Sequence, residues 1–193
     1  VQHDLVFFHK RPVQHLIDSC IRWTRAMFLS GRHDFELIQG LHKQWLSHYG
    51  GPKVLESDQE SGLISDASKQ ALQRWSTELV EKGVNEHVRM LEKHHDILRQ
   101  QYLKLKSQVA EEGLNIPDDI ILDETVFAKN SLFTVGDSTP IQALHGYTPP
   151  ILPDLHRSDA ALDDDQGLFP GISRHHQRIR ELAVQSMVET TAR

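Results

Sequence analysis

The feature that most constrains the fold is a single apolar stripe along residues 84–105. Its members recur at alternating steps of four and three residues, which keeps them on one side of an α-helix of about six turns. Packing against a sheet is the usual way to bury such a side, ahead of a coiled-coil partner. The sequence therefore predicts a long helix that covers a sheet, with an apolar side made of Val84, Val88, Leu91, His95, Leu98, Tyr102 and Leu105.

Short apolar segments before this helix can supply the sheet. Residues 1–8, 15–23 and 25–30 predict three strands in quick succession, with Pro12 marking the first turn, as in an antiparallel meander. Residues 52–57 and 77–82 predict two further strands, each preceded by a helical segment. This order predicts an α/β fold with a mixed central sheet of about five strands flanked by helices.

The chain divides into three predicted parts. Residues 1–150 form the folded domain, residues 151–171 form a loose linker, and residues 172–193 form a C-terminal amphipathic helix. The apolar side of that helix contains Ile179, Leu182 and Met187. The fold prediction therefore includes a helical C-terminal extension.

Composition excludes several classes of protein. A single cysteine, Cys20, rules out a disulfide framework and a zinc finger built on paired cysteines. The apolar runs are too short to span a membrane. The 21 Lys and Arg residues against 27 Asp and Glu residues give a net charge of −6, which argues against holding nucleic acid by bulk charge alone. The acidity is concentrated in residues 107–124 and 154–165.

Three carboxylates occupy positions that indicate chemistry. Asp4 lies inside an apolar strand, where a charged side chain is costly unless it has a function. Asp58 directly follows the fourth predicted strand, at the end where open α/β sheets place their sites. Glu92 lies beside Leu91 of the apolar stripe, so it can face the sheet edge. Glu86 is the alternative to Glu92 as the third carboxylate.

The sequence gives less support to zinc binding, to nucleophilic catalysis and to phosphate binding by a glycine-rich loop. The pairs His94-His95 and His175-His176 suggest zinc, but neighbouring helical residues point about 100° apart and no cysteine accompanies them. His95 falls on the apolar stripe and is predicted to be a core histidine. Neither a nucleophilic triad nor a glycine-rich phosphate loop is recognisable.

Four ordered segments resemble the catalytic core of retroviral and retrotransposon integrases, a DDE family with a ribonuclease H-like fold. They are VQHDLVFF, HLIDSCIRWTRAMFL, HYGGPKVLESDQESGL and HVRMLEKHHDILR, and the later GDSTPIQALHGYTPP resembles the segment after that core. The resemblance covers roughly residues 1–150. It implies that this part is the catalytic core of a retrotransposon integrase, cut from a longer polyprotein.

The resemblance also implies a site and a reaction. Asp4, Asp58 and Glu92 would be the catalytic residues and the ligands of Mg²⁺ or Mn²⁺, and Lys93 and Arg99 would bind DNA. The implied chemistry is attack by water and then by a DNA 3′-hydroxyl on a phosphodiester, that is, 3′-end processing and strand transfer. The implied partners are the element's DNA ends, target DNA and further copies of the chain, in the nucleus.

Two other functions stay open at this point. The chain could have kept the fold and lost activity, and act as a nucleic-acid-binding or assembly module. It could also be a different ribonuclease H-like nuclease. Metal-dependent nicking and strand-transfer assays would separate these alternatives.

Overall fold

The structure is a computed structural model, and it describes residues 1–58, 63, 65–82, 89–152 and 172–191. The chain divides into two compact units, Val1–Ile97 and Leu98–Arg193, with the boundary inside one long helix. Most of the predicted linker and the alternative carboxylate Glu86 lie outside the described residues. The division into a domain over 1–150, a linker and a helix stays a prediction.

Five strands of the first unit form one mixed sheet in the spatial order β3-β2-β1-β4-β5. β1 pairs antiparallel with β2, and β2 with β3. β1 pairs parallel with β4, and β4 with β5. The predicted mixed five-stranded sheet is confirmed, and its strands are β1 (Gln2–Phe8), β2 (Arg11–Ile17), β3 (Thr24–Phe28), β4 (Val54–Asp58) and β5 (Glu78–Lys82).

The first hairpin differs from its prediction. His9 and Lys10 adopt φ values of 47° and 67°, so these two residues form the tight turn. Pro12 was predicted to mark this turn, but it lies within β2 opposite Phe7. Strand β2 therefore begins four residues earlier than the sequence pattern predicts, because the left-handed turn is made by residues without the usual glycine or asparagine signal.

Helices of the first unit pack on this sheet. Helix α1 (Asp34–Leu41) continues into a π-helical segment (His42–Leu46) and a single turn, α2 (Ser47–Tyr49). Helix α3 (Asp66–Arg74) begins after Ser65, whose hydroxyl accepts a hydrogen bond from the Ser68 amide.

Burial confirms most of the predicted core of this unit. Trp23, Trp45 and Leu91 are buried as predicted. Trp75 was also predicted to be buried, but 43% of it is exposed. The reason is that Trp75 is the C-cap of α3, beyond the helix's apolar side, where its ring contacts His42.

The long predicted helix is α4 (Arg89–Glu111), which runs through the boundary between the units. Every described member of its apolar stripe is buried, including His95 and Leu98. Val84 and Val88 lie outside the described residues. The predicted burial of the stripe is therefore confirmed from Leu91 to Leu105.

Helices make up the second unit. Helices α5 (Asp118–Leu132), α6 (Pro140–His145) and α7 (Ile172–Thr191) follow the C-terminal part of α4. Ile179, Leu182 and Met187 of α7 are buried, which confirms the predicted C-terminal helix and its apolar side. The Arg180 guanidinium pairs with Glu124 of α5 and lies 3.6 Å from the centre of the Phe127 ring.

The described helices include no candidate for a membrane-spanning segment. Within the part of the chain that the structure describes, every helix is too short or too polar to cross a bilayer.

Candidate functional site

The parallel pairing of β1 with β4 positions two of the three predicted carboxylates. The register aligns Gln2 with Glu56 and His3 with Ser57, so the next position along both strands aligns Asp4 with Asp58. Side chains alternate between faces, and neighbouring strands lie about 4.8 Å apart. Asp4 and Asp58 therefore project side by side from one face, both partly exposed, and we call them the carboxylate pair.

Helix α4 reaches the same face and contacts Asp4. The Nδ1 atom of His95 lies 3.7 Å from Oδ2 of Asp4. The His95 ring also lies 4.9 Å, centre to centre, from the ring of His15, the cross-strand neighbour of Asp4. A protonated His95 would offset the negative charge of Asp4 across this short distance.

Glu92 is exposed in the first turn of α4, three residues before His95. Residues three apart on a helix share a side, so Glu92 lies one turn from the contact between His95 and Asp4. The register of β1 and β4 puts Asp4 and Asp58 at neighbouring positions, and Glu92 lies on the helix that contacts Asp4. Among the described residues, no three or more His, Cys, Asp and Glu side chains converge closely enough to hold a metal ion.

Backbone and lysine contacts fix the surroundings of the carboxylate pair. The Leu5 amide donates a 2.7 Å hydrogen bond to Oδ1 of Asp4. On the other flank, Lys82 of β5 is aligned with Asp58, and its ammonium lies 3.8 Å from the Glu56 carboxylate. A positive charge therefore stands beside the acidic face of β4.

The predicted DNA-binding residues fall in different units. Lys93 is exposed directly after Glu92 in the first unit. Arg99 is half-buried and belongs to the second unit. Their roles stay predictions.

Sequence reasoning missed two neighbours of the site. His95 was predicted as a core histidine, and it is buried, but its ring also contacts Asp4. Its spacing of three residues from Glu92 was a usable signal. The alignment of Lys82 with Asp58 had no such signal, because it depends on how β4 and β5 pair.

The donor set of this face suits a hard divalent cation. Carboxylate oxygens are the ligands that Mg²⁺ and Mn²⁺ prefer, and Mg²⁺ is commonly held by one or two carboxylates together with water and substrate phosphate. The carboxylates of Asp4 and Asp58 would fit that requirement, because a bound cation would relieve their mutual repulsion.

Comparison with known proteins identifies the fold. A scan against models of protein families finds no match, and neither does a search of curated proteins. Among solved structures, the catalytic core domain of BIV integrase aligns with a TM-score of 0.61 and 13% identity, over 74% of this chain and 90% of that one. The chain has the fold of a retroviral integrase catalytic core. The predicted ribonuclease H-like, integrase-like fold is thereby confirmed.

A second integrase-type structure supports the same fold. A simian T-cell lymphotropic virus intasome, solved in complex with the PP2A regulatory subunit B56 gamma, aligns with a TM-score of 0.64 and 18% identity. The alignment covers 79% of this chain but 56% of the matched chain. The integrase-like fold is therefore shared, while the matched chain is considerably longer than the aligned part.

Proposed function

We propose that the chain is the catalytic core of a retrotransposon integrase that processes DNA 3′ ends and joins them to target DNA. The observation that supports this most is the register of β1 and β4, which sets Asp4 beside Asp58 within an integrase-like fold. Asp4, Asp58 and Glu92 would hold Mg²⁺ or Mn²⁺. When bound, such ions activate the attacking oxygen and stabilise the leaving oxygen of a phosphodiester.

The chain's own residues would orient this chemistry. The Leu5 amide holds one oxygen of Asp4 by a hydrogen bond, and the His95 ring, 3.7 Å from the other oxygen, would restrict the orientation of this carboxylate. Lys93, exposed beside Glu92, would bind a phosphate of the DNA end, and Arg99 would bind another. Attack by water and then by the DNA 3′-hydroxyl on a phosphodiester would follow in turn.

DNA binding is compatible with the net negative charge because the charge is uneven. The acidic residues are concentrated in segments 107–124 and 154–165. Residues 82–106, the segment of the sequence that contains Glu92, carry six Lys and Arg residues against three Asp and Glu residues. We propose as partners the element's DNA ends, target DNA and further copies of this chain, acting in the nucleus after release from a polyprotein.

Substitution of Asp58 tests the proposal. Asp58→Asn keeps the size of the side chain but removes the charge that holds the metal, so metal-dependent nicking and strand transfer should be abolished. Glu56→Gln is the matched control, because Glu56 lies on the same strand and face but bonds to Gln2 at 2.8 Å. This control should keep its activity. Nicking by Asp58→Asn at the wild-type rate would refute the proposal.

One observation favours a second candidate, a nucleic-acid-binding or assembly module without catalysis. The described residues do not bring three acidic side chains into a metal cluster. This alternative predicts salt-dependent DNA binding without divalent-dependent cleavage in the same assays. Cleavage of RNA–DNA hybrids without strand transfer would instead indicate a different ribonuclease H-like nuclease.

A further inference from the structure

Four buried polar side chains lie on the face of the sheet opposite the carboxylate pair. His3 and Ser57 immediately precede the two aspartates, so alternation directs them to this opposite face. Gln14 of β2 and Gln44 of the π-helical segment lie on the same side, and Gln44 Nε2 donates a 3.0 Å hydrogen bond to Gln14 Oε1. All four are buried. We call them the buried polar chain.

The proton positions in the buried polar chain follow from its acceptors. Gln14 Nε2 belongs to an amide NH2 group, which can only donate hydrogen bonds. It donates to the Leu37 carbonyl at 2.9 Å and to His3 Nε2 at 3.1 Å. Because His3 Nε2 accepts, the ring proton is on Nδ1, which donates to Ser57 Oγ at 2.9 Å. The Ser57 hydroxyl then donates to the Asp58 carbonyl at 3.4 Å.

The backbone ladder between the two aspartate-bearing strands is short. β1 pairs with β2 along its whole length, from Gln2 to Phe8, but with β4 at the positions of Gln2 and His3. Side-chain bonds across this pair therefore matter for its alignment, since a slip of β4 by one residue would move Asp58 to the face opposite Asp4. The bond from His3 to Ser57 joins the strands at the last paired position before the carboxylate pair.

The buried polar chain also fixes the strands to the helix above. A Cβ added at Gly40 of α1 would lie 2.1 Å from Gln14 Oε1, so the absence of a side chain there makes room for the Gln14 amide. The hydrogen bonds therefore connect α1 and the π-helical segment to β2, β1 and β4 in sequence.

We propose that His3 and Ser57 are positioning residues, which hold Asp4 and Asp58 in alignment through a hydrogen bond on the opposite face of the sheet. The inference deepens the proposed function, because aligned carboxylates are what a shared metal ion requires. The bond from His3 to Ser57 is buried, so an arrangement that breaks it leaves buried polar atoms without their partners, which is costly.

A disulfide assay measures this alignment without metal or activity. In a Cys20→Ser background, Asp4→Cys and Asp58→Cys introduce two thiols on strands about 4.8 Å apart, within the Cα range of a disulfide. Their equilibrium with glutathione reports the effective concentration of one thiol at the other. Adding Ser57→Ala should lower this value roughly three- to tenfold, and Ser57→Thr, which keeps the hydroxyl, should restore it.

Ser68→Ala is the matched control, because Ser68 is a buried serine of α3 whose hydroxyl bonds to Ser65 at 3.1 Å. It should lower thermal stability without changing the disulfide equilibrium. An unchanged equilibrium in Ser57→Ala, or an equal drop in Ser68→Ala, would overturn the positioning role. Mn²⁺ titration of the chain with its aspartates intact is read separately. Absence of Mn²⁺ binding and cleavage in the wild type would refute the proposed function and leave the disulfide result to decide the positioning role.

Discussion

Acid should destabilise the fold through one buried histidine. Burial, with a smaller contribution from the charge of His95, lowers the pKa of His3 from 6.5 to about 3. The unfolded chain therefore takes up a proton at this residue below pH 6.5, whereas the folded chain does not until about pH 3. Stability is highest above pH 6.5 and falls as the pH decreases through this window.

The size of the effect follows from the two pKa values. At pH 4.5 the unfolded state gains about 2.7 kcal/mol from protonating this residue, at 1.36 kcal/mol for each pH unit below 6.5. His3→Gln removes the titrating group. This variant should be less stable at pH 7.5, by about 1–3 kcal/mol, because hydrogen bonds of the buried polar chain are lost. It should then lose about 2.7 kcal/mol less than the wild type between pH 7.5 and 4.5.

Urea unfolding at both pH values, in buffers free of divalent cations, measures these differences. His9→Asn is the control, because His9 is an exposed histidine in the adjacent turn, with a φ of 47° that asparagine tolerates. The control should retain the wild-type pH dependence. Equal losses of stability on acidification in His3→Gln and the wild type would refute the reasoning.

Three further predictions concern the core, a backbone approach and DNA binding. Leu91→Ala should lower the free energy of unfolding by roughly 2–5 kcal/mol, because Leu91 is fully buried. A loss below about half of one kcal/mol would instead show that the apolar stripe of α4 is exposed to water. Gly51→Ala should lower the melting temperature, since the added Cβ would lie 2.2 Å from the Trp75 carbonyl oxygen. Gly31→Ala is its control and should change the melting temperature little, because the added Cβ would lie 3.4 Å from a side-chain oxygen of Glu36. Arg99→Ala should weaken DNA binding and reduce its salt slope by about one, as measured by fluorescence anisotropy at several salt concentrations.

Local patterns predicted the elements well where one periodicity extended over many residues. The stripe from Leu91 to Leu105 fixed the position and buried side of α4, and apolar runs located β1 and β4. These predictions succeeded because helix and strand periodicities are properties of the chain itself. The candidate carboxylates came from their positions in the predicted elements, whereas the integrase-like fold and the catalytic roles of these residues came from the resemblance.

Features that depend on contacts distant in sequence were not predictable in the same way. The buried polar chain joins Gln14 to Gln44 and His3 to Ser57, and none of these residues stands out in a window of neighbouring positions. The π-helical segment His42–Leu46 also changes the phase of the apolar pattern, because a π-turn holds more residues than an α-turn. Tyr49, which follows this segment, is 40% exposed.

The close approach of Gly40 to Gln14 has a consequence for how this sequence can diverge. A mutation that adds a methyl group at position 40 meets the amide oxygen of residue 14, so it is tolerated most easily after residue 14 has become shorter. A shorter residue 14 in turn leaves His3 and the Leu37 carbonyl without their donor. Substitutions at positions 40, 14 and 3 should therefore occur together among descendants of this chain. The substitutions in the sheet, at positions 14 and 3, should come before the one at position 40.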